Sequence, residues 1–480
     1  MTMDKIRIIG SDYSPISEAV IHINGEKAEA LPQLNIYDLL KDCKTPDNKP
    51  LIQFYGRNIY FGGFVGVVRI FRENEYDITL QLKSRFDEGN KAHFVAAMLL
   101  SDDNKLKIRK ERVEISYDDI FEILLMYLFQ EQLQTAASKG IYRRYVRFEN
   151  NDSRPHGVID ISRHIKLNGN MNNGKIAYNY RELTANNSLN RLILAAYYKL
   201  KSKFPGIMES GTDSKLASTI KNLEAEIGYT ELNARKLVSQ NLNPITHPYY
   251  HEYEALRKTC LKILRDEGLS IFDAKCCDDI ESLLVYVPKL WEKYLERCLE
   301  KQLKKEQFIP QDTKAYCTSI LENTAKPDFV FYKDGKTTAI LDAKFKKIWG
   351  DVFGDVFKDL SKYKDNENNW KKDAPDVQEN KKARIDNDIN KCIRDMTVFN
   401  ANRTGVIVPY HIRSDQDIKT EDFVQCDVIT DEKLFDMVAI PVPGLGELGF
   451  PEWHEKFRNS TSVVLTKYLE AISLITENKS

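Results

Sequence analysis

Two apolar segments separated by an Asp-Gly pair constrain the fold of this chain more than any other feature. The segments KPDFVFYK and KTTAILDAKF alternate apolar and polar residues, as strands with one buried face do. Asp334 and Gly335 lie between them, and both residue types accept the left-handed backbone that a two-residue hairpin turn requires. The sequence therefore predicts an antiparallel β-hairpin over residues 326–345.

The hairpin carries three charged side chains that its geometry can bring together. Successive side chains of a strand point to opposite faces, so Asp342 and Lys344 project from one face about 6–7 Å apart. Asp328 follows Pro327 at the start of the first strand, where the hairpin can place its carboxylate beside that of Asp342. Because magnesium prefers carboxylate, water and phosphate oxygens, the pattern predicts that Asp328 and Asp342 bind Mg2+ while Lys344 orients a water. The alternative is a surface hairpin on which these short patterns occur by chance.

Two glutamates precede the hairpin on an amphipathic segment. VPKLWEKYLERCLEKQLKK has apolar residues at helical spacing, and Glu292 and Glu296 lie one turn apart on one face. Either glutamate could add a carboxylate to the metal site, and either could instead belong to a solvated helix face. Two charges inside the apolar strand, Asp342 and Lys344, favour a functional site, because burying charges without a partner or a role is costly.

The rest of the chain predicts a mixed α/β (α+β) fold in three parts. Residues 1–112 hold β-branched and aromatic runs broken by Gly, Asn and Asp, which predicts a β-rich first domain. Residues 113–275 are mainly helical in pattern, and the first helix, at 117–139, ends before Gly140. Residues 276–480 contain the hairpin and are predicted to form an α/β core. Apolar spacing predicts further middle helices at 188–203, 214–227 and 250–266.

A highly charged stretch interrupts the last domain. Residues 361–387 hold seven Lys/Arg and six Asp/Glu with few apolar side chains, which is typical of a solvated loop or a mobile insertion. After it, the pattern predicts a helix at 389–400, a buried strand at GVIVPY and a terminal helix at VVLTKYLEAISLI.

Composition excludes several classes of protein. A Lys+Arg count of 70 against 71 Asp+Glu gives a net charge of −1, which provides no general electrostatic grip on nucleic acid but allows a local basic groove. The eight cysteines show no C-x-x-C spacing, so neither a zinc ribbon nor a thioredoxin-type motif is predicted. The longest apolar run, around 120–129, is too short to span a bilayer, and we expect a cytoplasmic protein. GNMNNGK at 169–175 lacks the Ser/Thr of a phosphate-binding loop, so the chain is not expected to hydrolyse nucleotides itself.

Longer motifs follow one another in order along the chain. FVGVVRIFRENEYDITLQLKSRF lies in the first part, GIYRRYVRFENNDSRPHGVIDISRHI and YNYRELTANNSLNRLIL in the middle, and LWEKYLERCL, KPDFVFYK and AILDAKFKK in the last. This series resembles the McrC family, the nuclease subunits of McrBC-type, methylcytosine-specific restriction systems, over most of the chain. DINKCIRDM resembles the helix after the core of related restriction nucleases, with Cys392 and Ile393 at its usual Met and aromatic positions.

The resemblance implies a C-terminal PD-(D/E)xK nuclease core with Asp328, Asp342 and Lys344 as catalytic residues, Glu292 as the matching helix glutamate and Mg2+ as the cofactor. It also implies an McrB-like AAA+ GTPase hexamer as the partner, bound and stimulated through the β-rich first domain, and DNA, expected to be methylated, as the substrate. Two alternatives stay open. One is the nuclease subunit of a sequence-specific restriction system of the same architecture, and the other is a non-cleaving adaptor that activates an AAA+ motor.

Overall fold

The structure is a computed structural model that describes most of the 480 residues of the chain. The described residues are 5–28, 49–55, 58–72, 76–99, 117–169, 174–203, 214–228, 232–265, 281–317, 322–356, 375–412, 423–430 and 432–475. Within these ranges, no helix is both long enough and apolar enough to cross a membrane.

The N-terminal part is built mainly of strands, as predicted. Its strands are β1 (Lys5–Ser11), β2 (Val20–Ile23), β3 (Glu26–Ala28), β4 (Ile52–Tyr55), β5 (Asn58–Phe61), β6 (Phe64–Arg72) and β7 (Tyr76–Lys83). A 3-10 turn (Ile16–Glu18) and helix α1 (His93–Leu99) complete it. Helix α1 was not predicted, because all seven of its residues are buried and a helix buried all round has no amphipathic period.

The described residues of the middle part combine the four predicted helices with two short helices, Ile161–Asn168 and Ala234–Gln240, and a small sheet that were not predicted. Its helices are α2 (Tyr117–Ala137), α3 (Ile161–Asn168), α4 (Ser188–Lys203), α5 (Ser214–Ile227), α6 (Ala234–Gln240) and α7 (Glu252–Leu264), with a 3-10 turn at Pro248–Tyr250. Its strands are β8 (Arg144–Asp152), β9 (Val158–Ile159) and β10 (Ile176–Thr184), in the antiparallel order β8–β10–β9. Gly140 has a φ of +86°, which fits the predicted helix end.

The C-terminal part alternates strands and helices. Its strands are β11 (Glu281–Tyr286), β12 (Phe308–Pro310), β13 (Lys314–Cys317), β14 (Glu322–Ala325), β15 (Phe329–Lys333), β16 (Lys336–Ala343), β17 (Arg403–Ile412), β18 (Val424–Thr430) and β19 (Lys433–Pro443). Its helices are α8 (Val287–Glu300), α9 (Lys347–Val356), α10 (Pro375–Phe399) and α11 (Phe450–Ala471). The predicted mixed α/β fold class is confirmed.

A mixed sheet forms the centre of this part, with the order β12–β15–β16–β17–β19–β18. β15 and β16 pair antiparallel, whereas β16–β17 and β17–β19 pair parallel. A parallel pair needs a crossover connection, and α9 and α10 lie in the connection between β16 and β17. Met396 and Phe399 of α10 are buried in one apolar cluster with Val330 of β15 and Ile340 of β16, so α10 packs on the face of the hairpin.

Helix α10 shows that the prediction of a solvated loop or mobile insertion at residues 361–387 is partly wrong. It begins at Pro375, so residues 375–387 of the charged stretch are helical rather than a solvated loop, whereas 361–374 lie outside the described residues. Val377 and Ile385 are buried. Together with the buried Cys392, these two residues form a narrow apolar stripe along one face of the helix. The prediction of a loop was based on the number of charged residues, and that number does not depend on the spacing of the few apolar ones.

Contacts divide the chain into two compact units. The first comprises the described residues of Met1–Ser101, Lys110–Phe121 and Ala274–Ser480, and the second comprises those of Glu122–Asp273. Within the first unit, β11 pairs with β6 in the sheet order β11–β6–β7–β1–β2–β3. Strands from before residue 112 and after residue 275 therefore share one sheet and one apolar core. The functional boundaries at 112 and 275 remain predictions.

Candidate active site

The predicted hairpin is formed by β15 and β16. Asp334 and Gly335 have φ values of +51° and +74°, as the predicted two-residue turn requires. Phe329 pairs with Leu341 in the antiparallel register. One position further from the turn, Asp328 therefore stands opposite Asp342.

The backbone of each strand binds the carboxylate of the other. The backbone N–H of Asp328 donates to Asp342 Oδ1 over 3.3 Å, and the N–H of Ala343 donates to Asp328 Oδ2 over 2.7 Å. Asp342 is only 3% exposed, and Asp328 is partly buried. The two carboxylates that the sequence predicted to converge thus lie side by side at the open end of the hairpin.

Two lysines surround the Asp342 carboxylate. Lys344 Nζ lies 2.7 Å from Asp342 Oδ2, which brings together the third residue of the predicted set. Lys391 of α10 donates to both carboxylate oxygens of Asp342, over 2.9 and 2.8 Å. Asp388, one turn earlier on α10, lies 3.4 Å from Lys344 Nζ and 3.0 Å from Lys346 Nζ. Neither Lys391 nor Asp388 was predicted as a site residue, although their spacing of three on a helix predicted to follow the core places both on one face.

The pKa values of Asp328 and Asp342 are shifted in opposite directions. Burial, followed by the negative charges of Asp342 and Glu292, raises the pKa of Asp328 to about 8. Burial would also raise the pKa of Asp342, but the ammonium groups of Lys344 and Lys391 outweigh it and hold that pKa below its usual value. Asp342 is therefore the ionised acid of the pair, and Asp328 retains a proton to a higher pH than an exposed aspartate.

Glu292 approaches the aspartates from α8. Its Oε1 accepts a hydrogen bond from the Gln311 side-chain amide, and the backbone N–H of Gln311 donates to the carbonyl of Asp328 over 2.8 Å. Gln311 has a φ of +48°, which is uncommon for a residue with a side chain. It connects the helix to the start of β15, and no sequence motif pointed to it. Of the two predicted helix glutamates, Glu292 is the one whose charge raises the pKa of Asp328, whereas Glu296 lies one turn further along α8.

The donor set of the two aspartates fits a divalent cation. Mg2+ takes one or two protein carboxylates and completes its octahedron with water and phosphate oxygens. Asp328 and Asp342 present such oxygens, and the charge of Asp342 disfavours ionisation of Asp328, a repulsion that a divalent cation would relieve. Among the residues that the structure describes, no group of three or more His, Cys, Asp or Glu side chains is arranged to hold a metal.

Fold and site together define the class of this protein. It is a mixed α/β protein whose β-hairpin gathers two aspartates and a lysine beside a helix glutamate. The chain belongs to the family described as the McrBC 5-methylcytosine restriction system component, whose sequence pattern matches residues 59–361. That range contains Glu292, Asp328, Asp342 and Lys344, whereas Lys391 lies beyond it.

Two solved structures from Thermococcus gammatolerans are similar to the chain at low identity. A chain in a half-complex from a tetradecameric assembly of McrB AAA+ hexamers with bound McrC is 15% identical, with a TM-score of 0.36. The match covers 91% of the present chain and 90% of that one. A chain in the McrBC complex is 16% identical over 63% of the present chain and 89% of its own length, with a TM-score of 0.25. No curated protein matches the chain.

Proposed function

We propose that this chain is the DNA endonuclease subunit of a nucleotide-driven, modification-dependent restriction complex, and that it cleaves phosphodiester bonds with Mg2+. The observation that carries the proposal is the convergence of Asp328, Asp342 and Lys344 at the open end of the β15–β16 hairpin. This is the arrangement that a PD-(D/E)xK site needs. Membership of a restriction-system family supports the same assignment.

Burial supports a chemical role for the cluster over a structural one. Asp342 is almost inaccessible to solvent, and its two lysine partners are themselves partly or largely buried. A buried ion pair contributes little net stability, because the desolvation of both charges offsets their attraction. Apolar residues at these positions would let the hairpin fold at least as well. Three converging charges therefore favour a role in binding or catalysis, which is where perturbed pKa values cluster.

The proposed roles follow from the positions of the side chains. Asp328 and Asp342 would hold Mg2+, which when bound polarises the phosphate and acidifies water. Lys344 presents its ammonium group next to Asp342, where it can orient water and stabilise negative charge that develops on the phosphate. Glu292 adds a carboxylate on the α8 side of Asp328 that can accept a hydrogen bond from water.

The proposed partner is an McrB-like AAA+ GTPase hexamer, and the proposed substrate is methylated DNA. One of the similar structures is itself an assembly of McrB AAA+ hexamers with bound McrC. Residues 1–112 are the part of the chain predicted from the sequence to contact the partner. Deleting those residues is a poor test, because β6 pairs with β11 and the apolar core of their sheet includes Leu284 of β11.

A second candidate for the partner contact lies in the second unit. Large apolar side chains of α3 and of the β8–β10–β9 sheet are exposed there: Tyr145, Val158, Ile159, Ile161, Ile165, Leu167 and Leu183. Ile161 and Ile165 are four residues apart on one face of α3 and are 69% and 63% exposed. Concentrations of exposed apolar side chains often mark sites of protein contact.

The nuclease proposal is tested with Asp342→Asn, and Asp386→Asn on the exposed side of α10 serves as the control. Cleavage of methylated plasmid DNA is measured with Mg2+, GTP and an McrB-like partner, together with the GTP hydrolysis rate. We expect Asp342→Asn to abolish cleavage and to preserve the stimulation of GTP hydrolysis. Undiminished cleavage by Asp342→Asn would place the active site elsewhere. A wild-type protein that stimulates hydrolysis and never cleaves would support the adaptor.

A further inference from the structure

The Asp342 carboxylate has no capacity left for another ligand. An ionised carboxylate offers about four lone-pair positions on its two oxygens. Oδ1 accepts from the backbone N–H of Asp328 and from Lys391, and Oδ2 accepts from Lys344 and Lys391. A divalent cation that binds Asp342 must therefore replace at least one of these partners.

The three donors to Asp342 differ in how easily they can move. The N–H of Asp328 is part of the hairpin backbone, where β15 and β16 fix its position. The Lys344 side chain is only 11% exposed, and Asp388 binds it from the other side at 3.4 Å. The Lys391 side chain is 34% exposed and projects from the neighbouring helix α10. Lys391 is thus the donor that can leave Asp342 with the least disturbance of the fold.

Lys391 also stands where its charge acts on both proposed metal ligands. Its ammonium group contacts both oxygens of Asp342, and its positive charge stabilises the ionised form of Asp328 as well. A cation shared by the two aspartates would act on the same two carboxylates. Two cations that compete for one pair of carboxylates weaken each other's binding, through both charge repulsion and direct exclusion.

We infer that Lys391 is an internal counter-ion that competes with the divalent cation for Asp342 and withdraws from that carboxylate when the cation binds. The inference rests on the proposed function, because it concerns the metal site of the proposed nuclease. Lys391 is a positioning residue in this role. When it withdraws, its ammonium group needs another anion, and a DNA phosphate at the proposed active site provides one. Mg2+ and DNA therefore favour each other's binding through Lys391, and the cation binds weakly until DNA is present.

The test measures Mg2+ binding directly, without DNA, nucleotide or partner. Isothermal titration calorimetry compares the wild-type chain with Lys391→Met, with the charge-retaining Lys391→Arg and with Asp342→Asn. Lys382→Met is the matched control, because Lys382 is an exposed lysine of the same helix. We expect Lys391→Met to bind Mg2+ about tenfold or more tightly than wild type, as the loss of one nearby positive charge predicts. Lys391→Arg and Lys382→Met should stay close to wild type.

Failure of the inference and failure of the proposed function are distinguishable in this experiment. The inference alone is overturned if Asp342→Asn abolishes Mg2+ binding but Lys391→Met leaves the Mg2+ affinity unchanged or lowers it. Mg2+ binding that survives Asp342→Asn, or that is undetectable in both wild type and Lys391→Met, contradicts the proposed metal site and the inference together. Should Lys391→Met not fold, Lys391→Gln removes the charge while keeping a polar side chain, and the same outcomes apply to it. When the Mg2+ titration is repeated with non-cleavable duplex DNA present, the difference in Mg2+ affinity between wild type and Lys391→Met should become smaller.

Discussion

The guanidinium of Arg85 donates a 2.5 Å hydrogen bond to the backbone carbonyl of Phe345, the residue directly after Lys344. Arg85 also binds the fully buried carboxylate of Asp12 over 2.5 Å, and its guanidinium carbon lies 4.3 Å from the centroid of the Phe345 ring. One arginine after β7 thus connects the segment that follows β1 to the segment that follows β16. The N-terminal sheet is part of what positions the candidate active site.

Arg85→Ala should destabilise the first unit. The substitution leaves the Asp12 carboxylate buried without its cationic partner, and loss of one member of a buried ion pair costs about 3–5 kcal/mol. Chemical denaturation of the full chain measures the change, with the exposed Arg235→Ala as the control. Equal stability of the two variants would show that Arg85 does not hold this contact in solution.

Asp328→Asn should raise stability while it abolishes Mg2+-dependent cleavage. The carboxylate of Asp328 is disfavoured by burial and by Asp342, so a neutral amide of the same shape removes a repulsion and gains about 0.5–2 kcal/mol. The gain depends on pH in a defined direction. Because the pKa of Asp328 is raised in the fold, the wild-type protein loses stability from this group as pH rises from about 4 towards 8.

Thermal melting of Asp328→Asn and wild type between pH 5 and 8 measures this difference, with no divalent cation present. The advantage of the variant should be small at the acidic end and greatest at the alkaline end. An advantage that stays constant with pH, or a loss of stability at pH 8, would contradict the assigned repulsion. Asp386→Asn, which changes an exposed acid, should follow wild type throughout.

Substitution of each of the two glutamates on α8, Glu292 and Glu296, tests which one belongs to the active site. Glu292→Gln should lower Mg2+-dependent cleavage about 10- to 100-fold, as the loss of a partner next to a metal ligand typically does, because its charge acts on Asp328. Glu296 lies one helical turn after Glu292, and the Glu296→Gln protein should cleave DNA at a rate near that of wild type. Single-turnover cleavage of methylated DNA with the partner and GTP compares them. If Glu296→Gln lowers the cleavage rate more than Glu292→Gln does, Glu296 is the helix glutamate of the active site.

The two candidate partner surfaces can be separated by exposed substitutions. Ile161→Asp combined with Ile165→Asp adds charge to the exposed face of α3, and we expect it to abolish stimulation of the partner's GTP hydrolysis with no loss of stability. Val428→Asp, at an exposed position of the first unit, is the control. Phe54 is an exposed aromatic residue of β4 in the first domain. If the α3 variant still stimulates GTP hydrolysis and Phe54→Asp does not, the first domain is favoured as the partner contact.

Local patterns of the sequence determined the hairpin and three of its charges. The Asp-Gly turn pairs Lys333 with Lys336, and strand periodicity places Asp342 and Lys344 on one face. A β-bulge between Phe331 and Tyr332 then shifts the register by one residue, and this shift places Asp328 opposite Asp342. These relationships span fewer than 20 residues, so turn chemistry and strand period predict that the three side chains lie close together, whereas the bulge that sets their final pairing was not predicted. The longer helices of the middle part were predicted from apolar spacing in the same way, whereas the shorter α3, α6 and α9 and the fully buried α1 were not.

Only the tertiary structure decided which distant groups complete the site. Lys391 is 49 residues from Asp342 in the sequence and meets it because α10 packs on the hairpin through Met396 and Phe399. Arg85 is 260 residues from Phe345. The pairing of β11 with β6 similarly unites residues that sequence patterns assigned to separate domains. Periodicity shows which face of an element is apolar but not which other element covers that face, because any apolar surface of suitable shape satisfies the hydrophobic effect.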